Sequence, residues 1–350
     1  MKPPLVIGVI GAGRIGAIHA NNVARHPQAQ LNWISDPETA ATDKLAHLAD
    51  WVTEDPDELL CAPDVEAVII ASPTPTHVDL IKGAVELGKP VFCEKPVDLD
   101  LANAIAALAE VEGRGTVMMG FNRRFDPTFA QIHARVAAGE IGTLEQLTII
   151  SRDPNPPSPE YVATSGGLFA DMTIHDFDMA RFFLGPIATV KATGQNVVDP
   201  RIKELGDIDG AVVVLTATSG AIATIINSRR CAFGYDQRLE AFGSAGMLEA
   251  HNQYATSVAA STSDFTGASG RVQDFFLQRY EQAYRLELDA FIHAVLSGHR
   301  PHPDLRDGCE ALNLAEAARR SLETGCTVEV ESLTVKTPTQ SHRQPTKGRK

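Results

Sequence analysis

The first third of the chain alternates short apolar runs with segments of helical periodicity, and no other feature restricts the possible folds as strongly. The runs are apolar at every position rather than at alternate ones, which is typical of strands buried on both faces of a parallel sheet. Helices between such strands supply the crossovers of a doubly wound α/β fold. The predicted strands cover residues 5–10, 31–35, 65–71, 90–94 and 116–120, and the predicted helices cover residues 17–26, 38–49, 76–88 and 100–113.

The pattern changes near residue 121. Strand-like runs now follow one another, with tight turns such as Thr218-Ser219-Gly220 between them, which indicates an α+β domain with a largely antiparallel, open sheet. We predict a doubly wound domain over residues 1–122, an α+β domain over 123–332 and a disordered tail over 333–350. In the second part, strands are expected at 145–152, 188–198, 211–218, 221–230, 237–244 and 246–252, and helices at 127–139, 272–298 and 311–325.

Charge and cysteine content exclude several classes of protein. The 350 residues carry a formal net charge of -13, which argues against nucleic acid or an anionic membrane as a partner. The five cysteines are widely spaced and form no CxxC pair, which disfavours a disulfide framework and a thiolate zinc site. The chain enters a strand pattern at once, without a visible leader or a membrane-spanning run, so we expect a cytoplasmic protein.

A glycine-rich loop follows the first predicted strand and opens the first helix. In Gly11-Ala12-Gly13-Arg14-Ile15-Gly16, the first glycine permits a tight turn, the second lets a pyrophosphate approach the backbone, and the third lets helix and strand pack closely. The helix N-terminus offers free N–H groups to the phosphates. The loop predicts a dinucleotide site, with a plain strand–helix turn as the alternative.

Two further residues at strand ends fit the same site. Asp36 ends the second strand, where a carboxylate accepts hydrogen bonds from the adenosine ribose and repels a 2′-phosphate. This predicts NAD rather than NADP, although Asp36 could equally cap the next helix. Lys95, in Cys93-Glu94-Lys95-Pro96, ends a strand at the sheet edge where ligands bind, and its alternative is an ordinary surface lysine.

The stretch 166–183 places three ionisable residues at helical spacing among Leu, Phe, Met and Ile. Asp171, His175 and Asp178 fall on one face of a helix with 3.6 residues per turn. Left unpaired, such buried groups would each cost about 1–3 kcal/mol. Three interpretations compete: a structural polar network, a metal site, and a pocket for a polyol beside the cofactor. The metal site is disfavoured because no second histidine or thiolate lies close by.

Together these residues resemble the Gfo/Idh/MocA oxidoreductase family, named after glucose–fructose oxidoreductase, inositol dehydrogenase and the rhizopine-catabolism proteins. The resemblance rests on the glycine loop, the run 71–77, the triplet Glu94-Lys95-Pro96, and an acid and a histidine on one helix of a second domain. Within the family, the stretches most similar to bacterial inositol 2-dehydrogenases are 120–127, 151–154, 165–185 and 234–238.

The resemblance implies an activity and an assembly. It implies NAD-dependent oxidation of myo-inositol to the 2-keto inositol, with another cyclic polyol or sugar, such as scyllo-inositol or an aldose, as the alternative substrate. A catalytically silent NAD-sensing regulator is the alternative from another class. The resemblance also implies a homotetramer formed through the open face of the second sheet, to which the alternating strand at 221–228 could contribute.

The resemblance further implies roles for individual residues. His175 would be the general base, Asp171 would orient its imidazole, and Lys95 would hydrogen-bond the reacting hydroxyl. The predicted cofactor contacts are Gly11, Ala12, Gly13, Arg14, Ile15, Asp36, Ser72, Thr74, His77, Glu94, Lys95 and Asn122. The predicted substrate contacts are Lys95, Arg123, Asp153, Asp171, His175, Asp178 and Tyr235, and no metal is expected.

Overall fold

The first sheet of the structure, a computed structural model that describes residues 3–333, is entirely parallel. Its strands are β1 (Leu5–Ile10), β2 (Ala29–Ser35), β3 (Trp51–Thr53), β4 (Ala67–Ile70), β5 (Val91–Glu94) and β6 (Val117–Gly120). Their order is β3-β2-β1-β4-β5-β6, so the chain starts in the middle and winds outward in both directions. This confirms the predicted doubly wound sheet, in which the crevice between β1 and β4 is the expected ligand site.

Five helices connect these strands. They are α1 (Arg14–Arg25), α2 (Thr39–Thr42), α3 (Pro56–Cys61), α4 (His77–Glu86) and α5 (Leu101–Val111). The helix predicted over 38–49 is wrong in its extent, since only α2 and a 3-10 turn at Ala46–Leu48 form there. Strand β3 was not predicted, because its residues are largely exposed and lack the apolar run of a buried strand.

The second sheet is mixed but mostly antiparallel, as predicted. Its strands are β7 (Leu144–Arg152), β8 (Ile187–Gln195), β9 (Gly210–Ala217), β10 (Ile222–Ser228), β11 (Asp236–Gly243), β12 (Gly246–Ala250) and β15 (Val328–Glu329), while β13 (Ala259–Ala260) and β14 (Ala268–Ser269) form a separate hairpin. The order is β12-β11-β7-β10-β9-β8-β15, and β7 with β10 is its one parallel pair among the described residues.

Helices cover one face of this sheet. The helices packed on it are α6 (Pro127–Ala137), α8 (Ile174–Leu184) and α12 (Leu305–Thr324). The other helices of this half are α7 (Pro159–Val162), α9 (Pro200–Glu204), α10 (Phe276–Arg279) and α11 (Glu281–Ser297). The other face is open, and β10 shows the alternation: Ala223 and Ile225 are fully buried, whereas Ile222 is 44% exposed. The single helix predicted over 272–298 is broken at Tyr280, whose buried ring and φ of -112° separate α10 from α11.

The last two helices return to the first sheet. Phe291 and Ile292 of α11 belong to the apolar core around β1, and Leu312 of α12 belongs to the core beside β4 and β5. The N–H of Met119 in β6 donates to the carbonyl oxygen of Pro303 at 2.9 Å, so the chain before α12 pairs with the sheet edge. The predicted division at residues 122/123 therefore stays a prediction, because part of the second predicted domain packs into the first.

Two expectations concern the chain ends and membranes. The disordered tail predicted over 333–350 lies outside the described residues from residue 334 onward. Within residues 3–333, no helix combines the length and the apolar composition that crossing a bilayer would require.

Candidate active site

The glycine loop leaves room for a phosphate and leaves little room for side chains. Gly11 has a φ of +99°, and a Cβ on it would lie 2.5 Å from the main-chain carbon of Ala71. A Cβ on Gly16 would lie 1.8 Å from the oxygen of Gly11, so helix and loop are in close contact. A Cβ on Gly13, by contrast, would meet nothing within 4 Å. This open approach at the start of α1 fits a pyrophosphate bound by main-chain N–H groups.

Asp36 lies next to this loop. Its Oδ2 accepts a hydrogen bond from the N–H of Ala12 at 2.7 Å, and its Oδ1 accepts one from the N–H of Glu38 at 2.9 Å. The carboxylate is thus fixed at the carboxyl end of β2, beside the glycine loop, which is where a ribose would lie. Both interpretations of Asp36 are compatible, since the bond to Glu38 also supports the start of α2.

His77, predicted to contact the cofactor, has both ring nitrogens beside main-chain oxygens of the protein. Its ring is buried, with Nδ1 2.8 Å from the oxygen of Pro96 and Nε2 2.9 Å from the oxygen of Ser72. Burial lowers the pKa of His77, and a neutral ring can donate only one of these two bonds. The side chain therefore links the loop after β4, which contains Ser72, to the turn after β5, which contains Pro96.

Other predicted cofactor contacts lie at the same edge of the first sheet, where their side chains contact other protein groups. Glu94 is buried, and its Oε1 lies 2.8 Å from Nε2 of His19 on α1, which holds the end of β5 against that helix. The hydroxyls of Ser72 and Thr76 hydrogen-bond each other at 2.7 Å. Direct contacts of Ser72, Glu94 and the buried Asn122 with the cofactor stay predictions, as do those of Arg14, Ile15 and Thr74.

Lys95 links the end of β5 to the segment that precedes α8. Its Nζ donates to the main-chain oxygen of Asp171 at 2.8 Å and lies 3.7 Å from Oδ1 of the same residue. Asp171 stands in a π turn, Phe169–Thr173, directly before α8. Such turns disturb the regular hydrogen-bond ladder and are frequent at functional sites. The turn thus places a main-chain acceptor and a carboxylate beside the lysine.

The carboxylate of Asp171 does not orient His175, contrary to expectation. Its Oδ1 accepts a hydrogen bond from the hydroxyl of Tyr161 at 2.8 Å, and its Oδ2 accepts one from Nη1 of Arg229 at 3.3 Å. Within the described part of the chain, no hydrogen bond joins Asp171 to His175. The expected carboxylate–imidazole pair is therefore replaced by contacts between Asp171 and three cationic or phenolic groups.

His175 is half-buried at the start of α8, with its ring edge-on to Phe121 at 6.1 Å between centroids. Its buried Nδ1 has no hydrogen-bond partner in residues 3–333. Burial, together with the positive charges of Lys95 and Arg123, holds the pKa of His175 well below its usual range. The imidazole is consequently neutral near pH 7, which is the form that can accept a proton.

Asp178, the third residue of the predicted line, forms an ion pair with Arg124. Its carboxylate accepts two hydrogen bonds from Arg124, at 2.8 and 2.6 Å, and is fully buried. Nη2 of Arg124 also lies 3.3 Å from Asp307 on α12. Asp171 thus lies in the π turn, whereas His175 and Asp178 lie three positions apart on α8. A shared role of the three groups in binding substrate stays a prediction.

A polar network does exist here, but it is centred on Asp176, which the sequence analysis overlooked. This carboxylate is fully buried and accepts hydrogen bonds from Ser151 at 2.6 Å, Asn227 at 2.7 Å and Arg123. Ser151 and Asn227 are register partners on β7 and β10. Each ends an inward-facing row of apolar residues, and a polar residue at such a position was the signal that could have identified the network.

The remaining predicted substrate residues lie close together around Arg123. Asp153, at the end of β7, has its pKa raised by burial to about 7, although the nearby charges of Arg229 and Arg123 oppose the increase. Tyr235 is buried, and its ring packs edge-on against Tyr280 at 6.0 Å. Burial holds the pKa of Tyr235 well above its usual range, so its hydroxyl stays protonated. Donors and acceptors therefore alternate in this part of the site.

Comparison with known families explains this arrangement. The N-terminal family model, described as an oxidoreductase family with an NAD-binding Rossmann fold, matches residues 5–121, and the GFO/IDH/MocA C-terminal domain matches residues 129–249. The chain belongs to the GFO/IDH/MocA oxidoreductase family. This membership confirms the predicted family, the fold class, and NAD as the cofactor. The assignments of individual site residues stay predictions.

Similar proteins cover nearly the full chain. Inositol 2-dehydrogenase of Rhizobium meliloti (strain 1021) is 44% identical over 90% of this chain and 96% of its own length. A crystal structure of a myo-inositol dehydrogenase from Corynebacterium glutamicum matches with a TM-score of 0.91 and 48% identity, over 94% of this chain and 99% of that one. Scyllo-inositol dehydrogenase from Lactobacillus casei, solved with NAD(H) and scyllo-inositol, matches with a TM-score of 0.86 and 30% identity, over 94% and 100%.

Proposed function

We propose that this protein is an NAD-dependent inositol 2-dehydrogenase that oxidises myo-inositol to 2-keto-myo-inositol. The observation that carries the proposal is the contact of Lys95, at the edge of the NAD-binding sheet, with Asp171, one turn before His175. The contact supports a site in which a donor, a carboxylate and a neutral imidazole act on one substrate. The similarity to inositol and myo-inositol dehydrogenases supports the choice of substrate.

Oxidation of a secondary alcohol removes a hydride from carbon and a proton from oxygen. Bound NAD supplies the acceptor for the hydride. His175 takes the hydroxyl proton as general base, since its lowered pKa keeps the imidazole in the neutral form that can accept a proton. Lys95 donates a hydrogen bond to the reacting oxygen and stabilises the negative charge that develops there. Asp171 acts on Lys95 rather than on His175, since the described contacts join it to the lysine.

The other hydroxyls of a cyclic polyol require a mixed set of donors and acceptors. Asp153 and Tyr235 supply these, with Asp153 able to act in either form near its pKa of about 7. Arg123 forms the wall of the pocket, because Asp176 and Ser151 already engage its guanidinium. For Asp178 the same reasoning favours an indirect role, since Arg124 occupies its carboxylate.

Another inositol is the second candidate substrate. The structural match to a scyllo-inositol dehydrogenase and the 36% identity to a Bacillus subtilis scyllo-inositol 2-dehydrogenase favour it. Both substrates have the same ring and differ in the orientation of hydroxyls, so the same three catalytic residues would serve. An aldose would also fit the chemistry, with less support from the relatives.

We also infer that the protein is a homotetramer in the cytoplasm. The open face of the second sheet exposes apolar side chains on adjacent strands, with Val212 45%, Val214 37% and Ile222 44% exposed. A contiguous apolar face of this kind is typical of a subunit interface. Light scattering at working concentration tests the assembly, and a monomer would contradict it. The five cysteines are all free, as expected in a reducing compartment.

The decisive experiment follows NADH formation with myo-inositol and NAD. Scyllo-inositol, D-chiro-inositol, glucose and xylose are assayed beside it, and NADP replaces NAD in parallel. We expect preference for myo-inositol with NAD, and loss of turnover in His175→Ala. The exposed His47 supplies the matched control, because His47→Ala should retain full activity. Turnover on another polyol alone would keep the chemistry and replace the substrate. NAD binding without any turnover would favour the regulatory alternative.

A further inference from the structure

Tyr161 lies on a proline-rich segment, residues 153–168, which connects β7 to the π turn. The segment contains four prolines and the short helix α7. Its end is fixed because the N–H of Leu168 donates to Oδ1 of Asp207 at 3.0 Å. Prolines reduce the conformational freedom of the unfolded chain, so this segment holds its side chains in place at a low entropic cost.

The hydroxyl of Tyr161 reaches Asp171. It donates a hydrogen bond to Oδ1 at 2.8 Å, while Arg229, a fully buried arginine, contacts Oδ2 at 3.3 Å. Burial and the negative charge of Asp171 both raise the pKa of Tyr161, so the phenol stays protonated and acts as a donor. The two oxygens of Asp171 are therefore held by different residues.

The oxygen that Tyr161 holds is also the one that faces Lys95. Nζ of Lys95 lies 3.7 Å from Oδ1 of Asp171, and no closer contact joins the lysine to that carboxylate. Rotation of the carboxylate about its side-chain bonds would move Oδ1 away from the lysine. The bond from Tyr161 opposes this rotation, so the phenol determines how near the negative charge stays to the Lys95 amine.

We propose that Tyr161 is a positioning residue of the active site, which acts by holding Oδ1 of Asp171 toward Lys95. The inference rests on the proposed function, because the Lys95–Asp171 pair has a catalytic task only there. It adds a residue that stands outside the π turn and α8, which carry Asp171 and His175. Tyr161 would touch neither the reacting atoms nor the transferred hydride.

A different role for Tyr161 would depend on its ring rather than on its hydroxyl. The residue is 45% exposed, and the charge of Arg14 in the glycine loop is close enough to affect its pKa. The ring could therefore cover the cofactor cleft. Two variants distinguish the two roles. Tyr161→Phe removes only the hydroxyl, whereas Tyr161→Ala removes the ring as well.

Steady-state kinetics distinguish the two roles. If Tyr161 acts by positioning Asp171, Tyr161→Phe lowers kcat about tenfold, while the KM values for polyol and NAD change less than about twofold. Tyr254→Phe is the matched control, because Tyr254 is 46% exposed, lies between β12 and β13, and is not among the residues assigned to the site. Tyr161→Phe with parental kinetics, together with a raised KM for NAD in Tyr161→Ala, would overturn the proposal in favour of covering.

Crystal structures of the parent and of Tyr161→Phe provide a readout that does not require turnover. We expect the distance from Nζ of Lys95 to Oδ1 of Asp171 to increase in the variant, with the carboxylate rotated. An unchanged carboxylate would overturn the positioning role. Failure of the proposed function looks different, since the parent itself would then oxidise none of the polyols, and the comparison of the two structures would still decide whether Tyr161 holds Asp171.

Discussion

The side-chain amine of Lys95 donates to the main-chain oxygen of Asp171 at 2.8 Å, and this bond joins the end of β5 to the π turn before α8. Because the acceptor belongs to the main chain, replacing the side chain of Asp171 leaves the bond in place. The position of the lysine and the charge beside it therefore depend on different atoms of one residue, and the two can be altered separately.

Lys95 should matter more for turnover than Asp171. We expect Lys95→Met to lower kcat by at least about 100-fold, since it removes the donor to the reacting oxygen. Asp171→Ala should cost less, because the lysine keeps its main-chain partner. Steady-state kinetics with myo-inositol and NAD measure both. Lys82→Met, which removes a surface amine paired with Glu110, should behave like the parent. An equal or larger loss in Asp171→Ala would contradict this ranking.

Two glycines of the same loop should respond differently to alanine. Gly13→Ala places a methyl in open space, so the free energy of unfolding should stay within about 0.5 kcal/mol of the parent value. The methyl would obstruct the pyrophosphate, and we expect the KM for NAD to rise at least about tenfold.

Gly16→Ala should instead affect stability, because its methyl would collide with the oxygen of Gly11. We expect a loss of about 2–3 kcal/mol in the free energy of unfolding, measured by denaturant titration. If the two variants showed the same profile of stability and NAD affinity, the assignment of Gly13 to the cofactor would be wrong.

Removing Asp176 should destabilise the protein strongly. Asp176→Ala leaves the buried guanidinium of Arg123 without its carboxylate, which typically costs about 3–5 kcal/mol. Denaturant titration measures the change. Asp289→Ala is the control: its carboxylate is 62% exposed and, within residues 3–333, pairs with His26 alone, so about 0–1 kcal/mol is expected. Similar losses in the two variants would show that the Asp176 network contributes little.

Asp153 should make stability depend on pH. Burial raises its pKa to about 7 in the folded protein, against 3.8 for the unperturbed group. Its contribution is fully present below the unfolded value and is lost as pH rises toward 7, because the unfolded chain ionises first. The free energy of unfolding, measured by denaturant titration from about pH 4.5 to about pH 7.5, should therefore decrease in the parent. The decrease should be smaller in Asp153→Asn. Parallel curves for the two proteins would count against a buried, protonated Asp153.

The architecture was largely readable from the sequence, because buried parallel strands need continuous apolar runs and hairpins need tight turns. The errors fall where tertiary contacts override local pattern. Strand β3 is a short, exposed edge strand whose residues resemble a loop. The break at Tyr280 arises from burial of its ring, which no periodicity reveals.

The types of residue in the candidate site were predictable from the sequence. The contacts between their side chains were less so. Lys95 contacts Asp171, while the catalytic roles of Lys95, Asp171 and His175 stay predictions. The charged partners of the site carboxylates come from distant segments. Arg124 pairs with Asp178 and Arg229 pairs with Asp171, each from more than 50 positions away along the chain. Sequence spacing on a helix cannot identify such contacts. The π turn also changes the angular spacing on which the prediction depended.

The return of the chain to its first sheet has a consequence for how such a protein can be divided. Phe291, Ile292 and Leu312 complete the core of a sheet whose strands all lie before residue 121, and Pro303 pairs with that sheet's outer strand. A gene fragment that ends after β6 would leave those apolar surfaces uncovered. The nucleotide-binding half is consequently not a transferable cassette, and modular engineering with this scaffold would have to exchange two distant segments of the gene together.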